Sequence, residues 1–151
     1  MENKKFSKAT DAVWAGEDNP YFKEAVTTPI VNSVAFAYKD LDEWYDVSTG
    51  KADGFIYSRN TNPTVSSLEE KIRVLEGAGA ATAFATGMAA ISNTLFTFLK
   101  PGKRVVSVKD TYGGTSKLFL DFFPAYHVEV KLCETGNHEE LEYEIAKGCD
   151  L

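Results

Sequence analysis

The strongest constraint on the fold is a repeated alternation of strand-like and helix-like segments in the second half of the chain. Apolar or β-branched runs predict three strands, at residues 80–85, 104–108 and 127–132. The helices predicted after them run from residue 87 to Pro101, over 116–122, and from a capping-box-like Asn137 and Glu140 to about Lys147. This alternation predicts an α/β fold, with a mostly parallel sheet flanked by helices and joined by right-handed crossovers.

The helix that precedes this repeat has both of its ends encoded in the sequence. Its apolar face is predicted to consist of Val65, Leu68, Ile72 and Leu75. Asn62 has the side chain of an N-cap, and Pro63 stands in the first turn, where its missing N–H costs nothing. Gly77 follows as a left-handed stop. We therefore expect a helix that begins at residue 63 and ends before Gly77.

Residues 1–55 lack sustained periodicity and are rich in aromatic residues. The rings include Trp14, Tyr21, Phe22, Phe36, Tyr38, Trp44 and Tyr45. Such rings must be buried against another surface, which is either the domain that follows or a second subunit. We favour the second and expect residues 1–55 to form an N-terminal arm that contacts another subunit. A short helix over residues 41–45, capped by Asp40, is the regular element predicted in this arm.

Residues 56–151 are expected to form the first part of a larger domain. Residues 148–151 predict a turn that enters another strand, and the chain ends there at Leu151. A missing strand would leave backbone groups of its neighbours unpaired inside the sheet, which is costly. The expectation is that the 151 residues are a piece of a larger fold, cut within its large domain.

Charge and composition exclude several classes of function. The chain has 16 Lys and Arg against 22 Asp and Glu, a net charge of −6, and no basic run, so a nucleic-acid partner is not expected. No apolar run approaches the roughly 20 residues that span a bilayer, and the charged N-terminus lacks the apolar core of a secretory signal. We therefore expect a cytoplasmic protein. Two cysteines without CxxC spacing and two histidines predict no metal site and no disulfide scaffold.

Three short motifs are candidates for chemistry, and the first is Thr86, Gly87 and Met88 between the strand predicted at 80–85 and the next helix. The free N–H groups and positive end of a helix form an anion site there, and Gly87 allows a phosphate to approach. The alternative is a plain tight turn with Thr86 as cap. The motif matches neither the GxGxxG nor the Walker fingerprint, which disfavours a nicotinamide-binding domain.

The other two motifs are Tyr57 with Arg59, and the segment from Tyr112 to Thr115. In an extended segment Tyr57 and Arg59 can point to the same side, and Arg is well shaped to bind phosphate. Tyr112 places a ring beside two glycines that leave room for a flat group. The alternatives are an exposed turn and an ordinary Gly-Gly turn. All three motifs lie at or near the carboxyl ends of predicted strands, where ligands of open α/β sheets bind.

Together these residues resemble the Cys/Met metabolism family of pyridoxal-phosphate enzymes. This transsulfuration group includes cystathionine γ-synthase, cystathionine lyases, O-acetylhomoserine sulfhydrylase and methionine γ-lyase. The resemblance runs through residues 26–30, 57–64, 75–77, 86–92 and 112–115. It implies the fold type I architecture of the aspartate aminotransferases, pyridoxal 5'-phosphate as cofactor, and a homotetramer built as a dimer of dimers with shared active sites.

The resemblance also implies roles for the candidate residues. Thr86, Gly87 and Met88 would hold the cofactor phosphate, and Tyr112 would stack on the pyridine ring. Tyr57 and Arg59 would reach the phosphate of a neighbouring subunit's cofactor. Family members also use a lysine that forms the internal aldimine and an aspartate that pairs with the pyridine nitrogen, and this chain reaches neither position. A second polypeptide that carries the rest of the fold is one expected partner.

The reaction implied by the resemblance is less specific than the cofactor. Methionine γ-lyases commonly have a cysteine where this chain has Gly114, so the favoured reaction is γ-replacement on an O-acylated homoserine, giving cystathionine or homocysteine. A cystathionine or methionine C–S lyase is the alternative within the family. A further alternative is an inactive chain that keeps the phosphate site but lacks the aldimine lysine.

Overall fold

A computed structural model describes residues 7–17 and 25–151 of the chain. The chain divides into two compact units, Met1–Ala83 and Phe84–Leu151. Two aromatic residues assigned above to the arm, Tyr21 and Phe22, lie outside the described residues, as does the N-terminal segment that was tested for a signal sequence.

The described part of the first unit contains three helices: α1 (Lys8–Trp14), α2 (Leu41–Ser48) and α3 (Pro63–Glu76). Helix α1 was not predicted, because a helix of seven residues has too few turns to show periodicity. Its one local signal is Ser7, whose side chain caps the helix by accepting the Thr10 N–H at 3.2 Å. Helix α2 is capped by Asp40 as predicted but continues to Ser48 instead of ending at residue 45.

Helix α3 confirms the predicted ends. The Asn62 side chain accepts the Thr64 N–H at 2.9 Å, Pro63 occupies the first turn, and Gly77 closes the helix with φ of 64°. Each of these signals is local to the residue that carries it, which is why the sequence alone was sufficient here.

Close backbone packing and a partly buried ion pair hold α1 against α3. Gly16, just after α1, has φ of 78°, and a Cβ there would overlap the Ser67 carbonyl oxygen of α3. Lys71 of α3 pairs with Glu17 at 2.8 Å, and Glu17 also accepts the Thr28 N–H at 2.6 Å. The hydrogen bond from Lys71 is the main cause that holds the pKa of Glu17 below its ordinary value. The chain around residue 28 is thereby tied to the same helix.

The second unit has the α/β order predicted from the sequence. Its elements are α4 (Gly87–Phe98), β1 (Arg104–Val108), α5 (Gly113–Lys117), a π-helical turn (Leu118–Phe122), α6 (Phe123–Ala125), β2 (Glu129–Cys133) and α7 (His138–Ala146). Strands β1 and β2 pair in parallel, with Val105 opposite Val130 and Val108 opposite Cys133. The parallel pair confirms the predicted α/β class. The core beneath it consists of Leu95, Leu99, Val105, Phe119, Phe123 and Val128.

The other edge of β1 bonds to the last two residues of the chain. The Asp150 N–H donates to the Arg104 carbonyl at 2.8 Å, and the Val106 N–H donates to the Leu151 carbonyl at 3.0 Å. Lys103 adds an ion pair to Asp150 at 2.7 Å. The turn predicted at Gly148 thus brings the last residues alongside β1, although they are not assigned as a strand and the described sheet has two strands.

Three predicted boundaries in this part of the chain are wrong. Residues 80–85 do not form a strand, because no strand among the described residues pairs with them. They are largely exposed, and the Ala83 N–H donates instead to the Glu69 carboxylate at 2.8 Å. The helix predicted over residues 116–122 begins at Gly113 and turns π-helical at Leu118. The third strand begins at Glu129 and not at 127, because His127 takes φ of 62° in a tight turn.

A network of ion pairs fixes α7 to the two strands. Arg104 of β1 donates to Glu144 of α7 and to Glu129 of β2, each at 2.6 Å. Glu144 is only 8% exposed and also accepts Lys147 at 2.8 Å. Asn137 caps α7 as predicted, but only half of the capping box forms, because the Glu140 carboxylate accepts the Glu134 N–H at 3.0 Å.

Candidate functional site

The turn that begins α4 presents unpaired hydrogen-bond donors. Thr86 is extended, with φ of −147°, and its hydroxyl oxygen accepts the Ala89 N–H at 3.1 Å. Its carbonyl accepts the Ala90 N–H at 3.1 Å. Among the described residues nothing accepts the N–H groups of Gly87 and Met88, which stand at the positive end of a twelve-residue helix. The arrangement suits an anion.

Space is available at this turn. A Cβ placed on Gly87 would meet no heavy atom within 4 Å in the described structure. Thr86 and Gly87 are exposed, and Met88 is half-buried. A tetrahedral anion the size of a phosphate can therefore approach the two free N–H groups directly, so the turn fits the phosphate of the cofactor implied above.

The segment from Tyr112 to Thr115 contacts the same turn. Thr115 is buried, and its hydroxyl donates to the Met88 sulfur at 3.6 Å. A Cβ placed on Gly114 would lie 2.9 Å from that sulfur. Tyr112, the residue before α5, is 73% exposed, so one ring is free beside the turn. The structure thus brings two of the three predicted motifs together.

A cleft of about 660 Å³ adjoins these two loops in the second unit. Its walls are Met88, Ala89, Ser92, Gly114, Lys117, Leu118, Asp121, Phe122 and Ala125. Lys117 and Asp121 are the two charged residues of this lining, and the sequence motifs did not point to either of them. Their spacing of four residues after the Tyr112 loop was the available signal, since it places both on one helical face.

Tyr57 and Arg59 lie in the first unit and form a pair of their own. The Arg59 guanidinium carbon lies 4.5 Å from the centre of the Tyr57 ring. Tyr57 also makes an isolated antiparallel bridge with Ala35. Arg59 is exposed, and within the described part of the chain none of its N–H groups has an acceptor. The pair offers a cation whose donors are free for an anion.

Three other lysines of the described chain are already paired with carboxylates. Lys71 pairs with Glu17, Lys103 with Asp150, and Lys109 with Glu134.

Across residues 7–17 and 25–151, no group of three His, Cys, Asp or Glu side chains could hold a metal ion. No helix in these same ranges is long and apolar enough to cross a membrane.

Comparison with known proteins gives these features a common context. The model of the Cys/Met metabolism PLP-dependent enzyme family matches residues 9–151. The chain belongs to this family. The resemblance inferred from the motifs is confirmed, and the pyridoxal-phosphate dependence implied by it is a property of the family.

Individual relatives of this Cys/Met metabolism chain include lyases and synthases. It is 36% identical over 148 residues to an L-methionine gamma-lyase of Fusobacterium nucleatum, matching 97% of this chain and 37% of that protein. It is 33% identical to a cystathionine gamma-lyase of Sus scrofa, over 89% of this chain and 31% of that one. The chain thus spans about a third of the length of its curated relatives.

Solved structures confirm the family fold. The metB protein of Corynebacterium glutamicum superposes with a TM-score of 0.77 at 34% identity, covering 93% of this chain and 34% of its own. The metY protein of Campylobacter jejuni gives a TM-score of 0.80 at 26% identity, over 92% and 34% respectively. The latter structure contains N'-pyridoxyl-lysine-5'-monophosphate at position 205.

Proposed function

We propose that this chain supplies the phosphate grip and a ring-contacting residue of a pyridoxal-phosphate enzyme of sulfur amino-acid metabolism. The observation that carries the proposal is the pair of acceptor-free N–H groups at Gly87 and Met88, joined through the Thr115–Met88 contact to the exposed Tyr112 ring. Free N–H groups beside an exposed aromatic ring suit a ligand that has a phosphate attached to a flat ring.

The residues of the turn divide the work of holding the phosphate. The N–H groups of Gly87 and Met88 donate to its oxygens. The Thr86 oxygen already accepts the Ala89 N–H, so the hydroxyl proton remains free to donate as well. Tyr112 limits the tilt of the ring by stacking on it. When bound, pyridoxal phosphate supplies an electron sink for negative charge at the substrate's Cα.

The first unit is proposed to act on a neighbouring subunit. Arg59, held over Tyr57 and without an internal acceptor, would donate to the phosphate of the partner's cofactor. Residues 1–55 would form the arm that contacts that partner, in a homo-oligomer built as a dimer of dimers. Assembly and a cytoplasmic location remain predictions from the sequence.

Two reactions are compatible with the family, and we propose γ-replacement on an O-acylated homoserine as the first. Its support is Gly114, because methionine γ-lyases commonly have a cysteine at this position, and a Cβ there would lie 2.9 Å from the Met88 sulfur. Elimination at the γ-carbon of methionine or cystathionine is the second candidate. It is favoured by the names of several similar proteins, among them the Fusobacterium nucleatum and Sus scrofa lyases.

Cofactor retention tests the site, with Tyr112→Ala and Tyr112→Phe made in the complete native protein. Tyr112→Ala should weaken cofactor binding about tenfold, while Tyr112→Phe keeps the ring and the affinity. Cofactor content is read from the visible absorbance after gel filtration. A native protein that binds no cofactor, or an alanine variant that binds as tightly as the phenylalanine variant, would contradict the proposal.

Product analysis separates the two reactions. The native protein is incubated with O-acetylhomoserine and cysteine, or with methionine or cystathionine alone. Replacement gives a new thioether without release of ammonia. Elimination gives a 2-oxo acid, ammonia and the released thiol. If ammonia forms from methionine or cystathionine alone faster than the thioether forms from O-acetylhomoserine and cysteine, elimination is favoured over γ-replacement.

A further inference from the structure

Asn62 makes more hydrogen bonds than capping α3 requires. Its side chain is 7% exposed. The amide oxygen accepts the Thr64 N–H at 2.9 Å, which is the cap itself. The amide nitrogen donates to the Val31 carbonyl at 2.9 Å and to the Ser58 hydroxyl oxygen at 3.0 Å. One buried amide therefore joins three parts of the chain.

Ser58 carries this connection into the turn between Tyr57 and Arg59. Its N–H donates to the Val34 carbonyl at 2.9 Å, and its hydroxyl donates to the Ser33 carbonyl. The same hydroxyl accepts the Asn62 amide, so both of its hydrogen-bonding capacities are used. The residue between the stacked tyrosine and arginine is thus fixed by three hydrogen bonds, to Ser33, Val34 and Asn62.

Helix capping does not explain the choice of residue 62. Serine, threonine and aspartate cap as well as asparagine does, since a cap needs only a side-chain oxygen. Asparagine alone among these supplies that oxygen together with two N–H donors. The two N–H donors bond to the Val31 carbonyl and to the Ser58 hydroxyl, and Ser58 lies in the turn that carries Arg59.

The turn itself is short enough for this restraint to reach the guanidinium. The N–H groups of Asn60 and Thr61 both bond to the Tyr57 carbonyl, at 2.9 and 3.2 Å. Arg59 lies inside this closed turn and rests on the ring of Tyr57. Its backbone is therefore held on one side by Ser58 and on the other by the turn.

We infer that Asn62 is a positioning residue that, through Ser58, holds Tyr57 and Arg59 in the conformation needed to bind a phosphate. The inference rests on the proposed function, in which Arg59 donates to the phosphate of a neighbouring subunit's cofactor. Asn62 touches neither cofactor nor substrate in this scheme. It acts by removing the freedom that Arg59 would otherwise lose on binding.

The test compares two ligands, pyridoxal phosphate and pyridoxal without its phosphate. Asn62→Ser keeps the cap and removes both amide donors, and Ser58→Ala removes the other end of the connection. Asn137→Ser is the matched control, because Asn137 caps α7 in the same way and lies in the other unit. All variants are made in the native gene, and the complete protein is purified together with any polypeptide bound to it.

We expect Asn62→Ser and Ser58→Ala to weaken binding of pyridoxal phosphate about tenfold, as for loss of a bond to a charged group. The affinity for pyridoxal should stay within about twofold of that of the native protein, because pyridoxal has no phosphate for Arg59 to bind. Asn137→Ser should change neither affinity. A general loss of structure would instead weaken both ligands, and that result would overturn the inference.

Arg59→Gln distinguishes failure of the inference from failure of the proposed function. If Arg59→Gln lowers the preference for the phosphorylated ligand but Asn62→Ser and Ser58→Ala do not, Asn62 is only a helix cap and the inference is wrong. If Arg59→Gln leaves the preference unchanged, the role proposed for Arg59 is wrong, and the inference fails with it.

Discussion

Thr86 has two hydrogen-bonding functions that a substitution can separate. Its oxygen caps α4, and its proton is left for an external acceptor. Thr86→Val removes both functions while keeping the shape of the side chain, whereas Thr86→Ser keeps both.

We expect Thr86→Val to lower the free energy of unfolding by about 1 kcal/mol through the lost cap. It should also weaken pyridoxal-phosphate binding, and Thr86→Ser should do neither. Chemical denaturation followed by circular dichroism measures the first effect, and titration with the cofactor measures the second. Equal cofactor binding by the valine and serine variants would show that the hydroxyl proton is not used.

At the scale of residues, the sequence was informative where the signal is local. Asp40, Asn62 and Asn137 were identified as caps because a cap depends only on the few residues that follow it. The Thr115–Met88 contact was not predictable, because it joins residues 27 positions apart. Nor did alternation along an extended segment predict that Arg59 would stack on Tyr57, since the stacking depends on the turn that closes over residues 57–61.

The packing of α1 on α3 depends on a glycine with no room for a side chain. Gly16→Ala should lower the free energy of unfolding of the first unit by about 3 kcal/mol, because the new Cβ meets the Ser67 backbone and the left-handed conformation is disfavoured for alanine. Both tryptophans, Trp14 and Trp44, lie in this unit. Their fluorescence during urea unfolding therefore measures its stability.

Gly50→Ala provides the matched control for this prediction. Gly50 has φ of 75°, close to that of Gly16, but a Cβ there would meet no atom within 4 Å in the described structure. Its substitution should cost about 1 kcal/mol, the conformational term alone. Equal losses for the two variants would mean that α1 does not pack against α3 as closely as described.

At the scale of elements, pattern length decided what could be predicted. Helix α3 has enough turns to show an apolar face, and β1 is a β-branched run, so both were predicted. Helix α1 is too short to show a period, and the π-helical turn after α5 has no sequence rule that distinguishes it from an α-helix. Residues 80–85 have strand composition, but a strand also needs a partner, which composition does not supply.

The stability of the second unit should depend on pH through Glu144. Hydrogen bonds from Lys147 and then Arg104 hold its pKa below the ordinary value of 4.5. A carboxylate with a lowered folded-state pKa stabilises the fold above its unfolded pKa, and this contribution is lost as the pH falls through the folded one. We expect acid to loosen α7 from the strands, starting below about pH 4.5.

Glu144→Gln tests this prediction against Glu129→Gln. Both residues accept Arg104, but the Glu144 side chain is 10% exposed and that of Glu129 is 66% exposed. Glu144→Gln should lower stability at neutral pH and flatten its dependence on acid, while Glu129→Gln should lower stability at neutral pH far less, because that ion pair is exposed. Hydrogen exchange of the β1 amides at several pH values measures both. A steep acid dependence in Glu144→Gln would assign the titration to another group, of which Glu140 is the nearest in kind.

A substitution at His127 offers a way to raise the thermal stability of the protein without altering the residues proposed to bind the cofactor. Among the described residues it is the one non-glycine with positive φ, at 62°, and it is exposed. Its carbonyl, and not its side chain, makes the bond to the Gly102 N–H at 2.7 Å. Glycine or asparagine tolerates this conformation better, so His127→Gly should raise the melting temperature by a few degrees, as expected for a gain of about 1 kcal/mol. The turn before β2 is thus a place where a single substitution can raise the thermal stability of the protein.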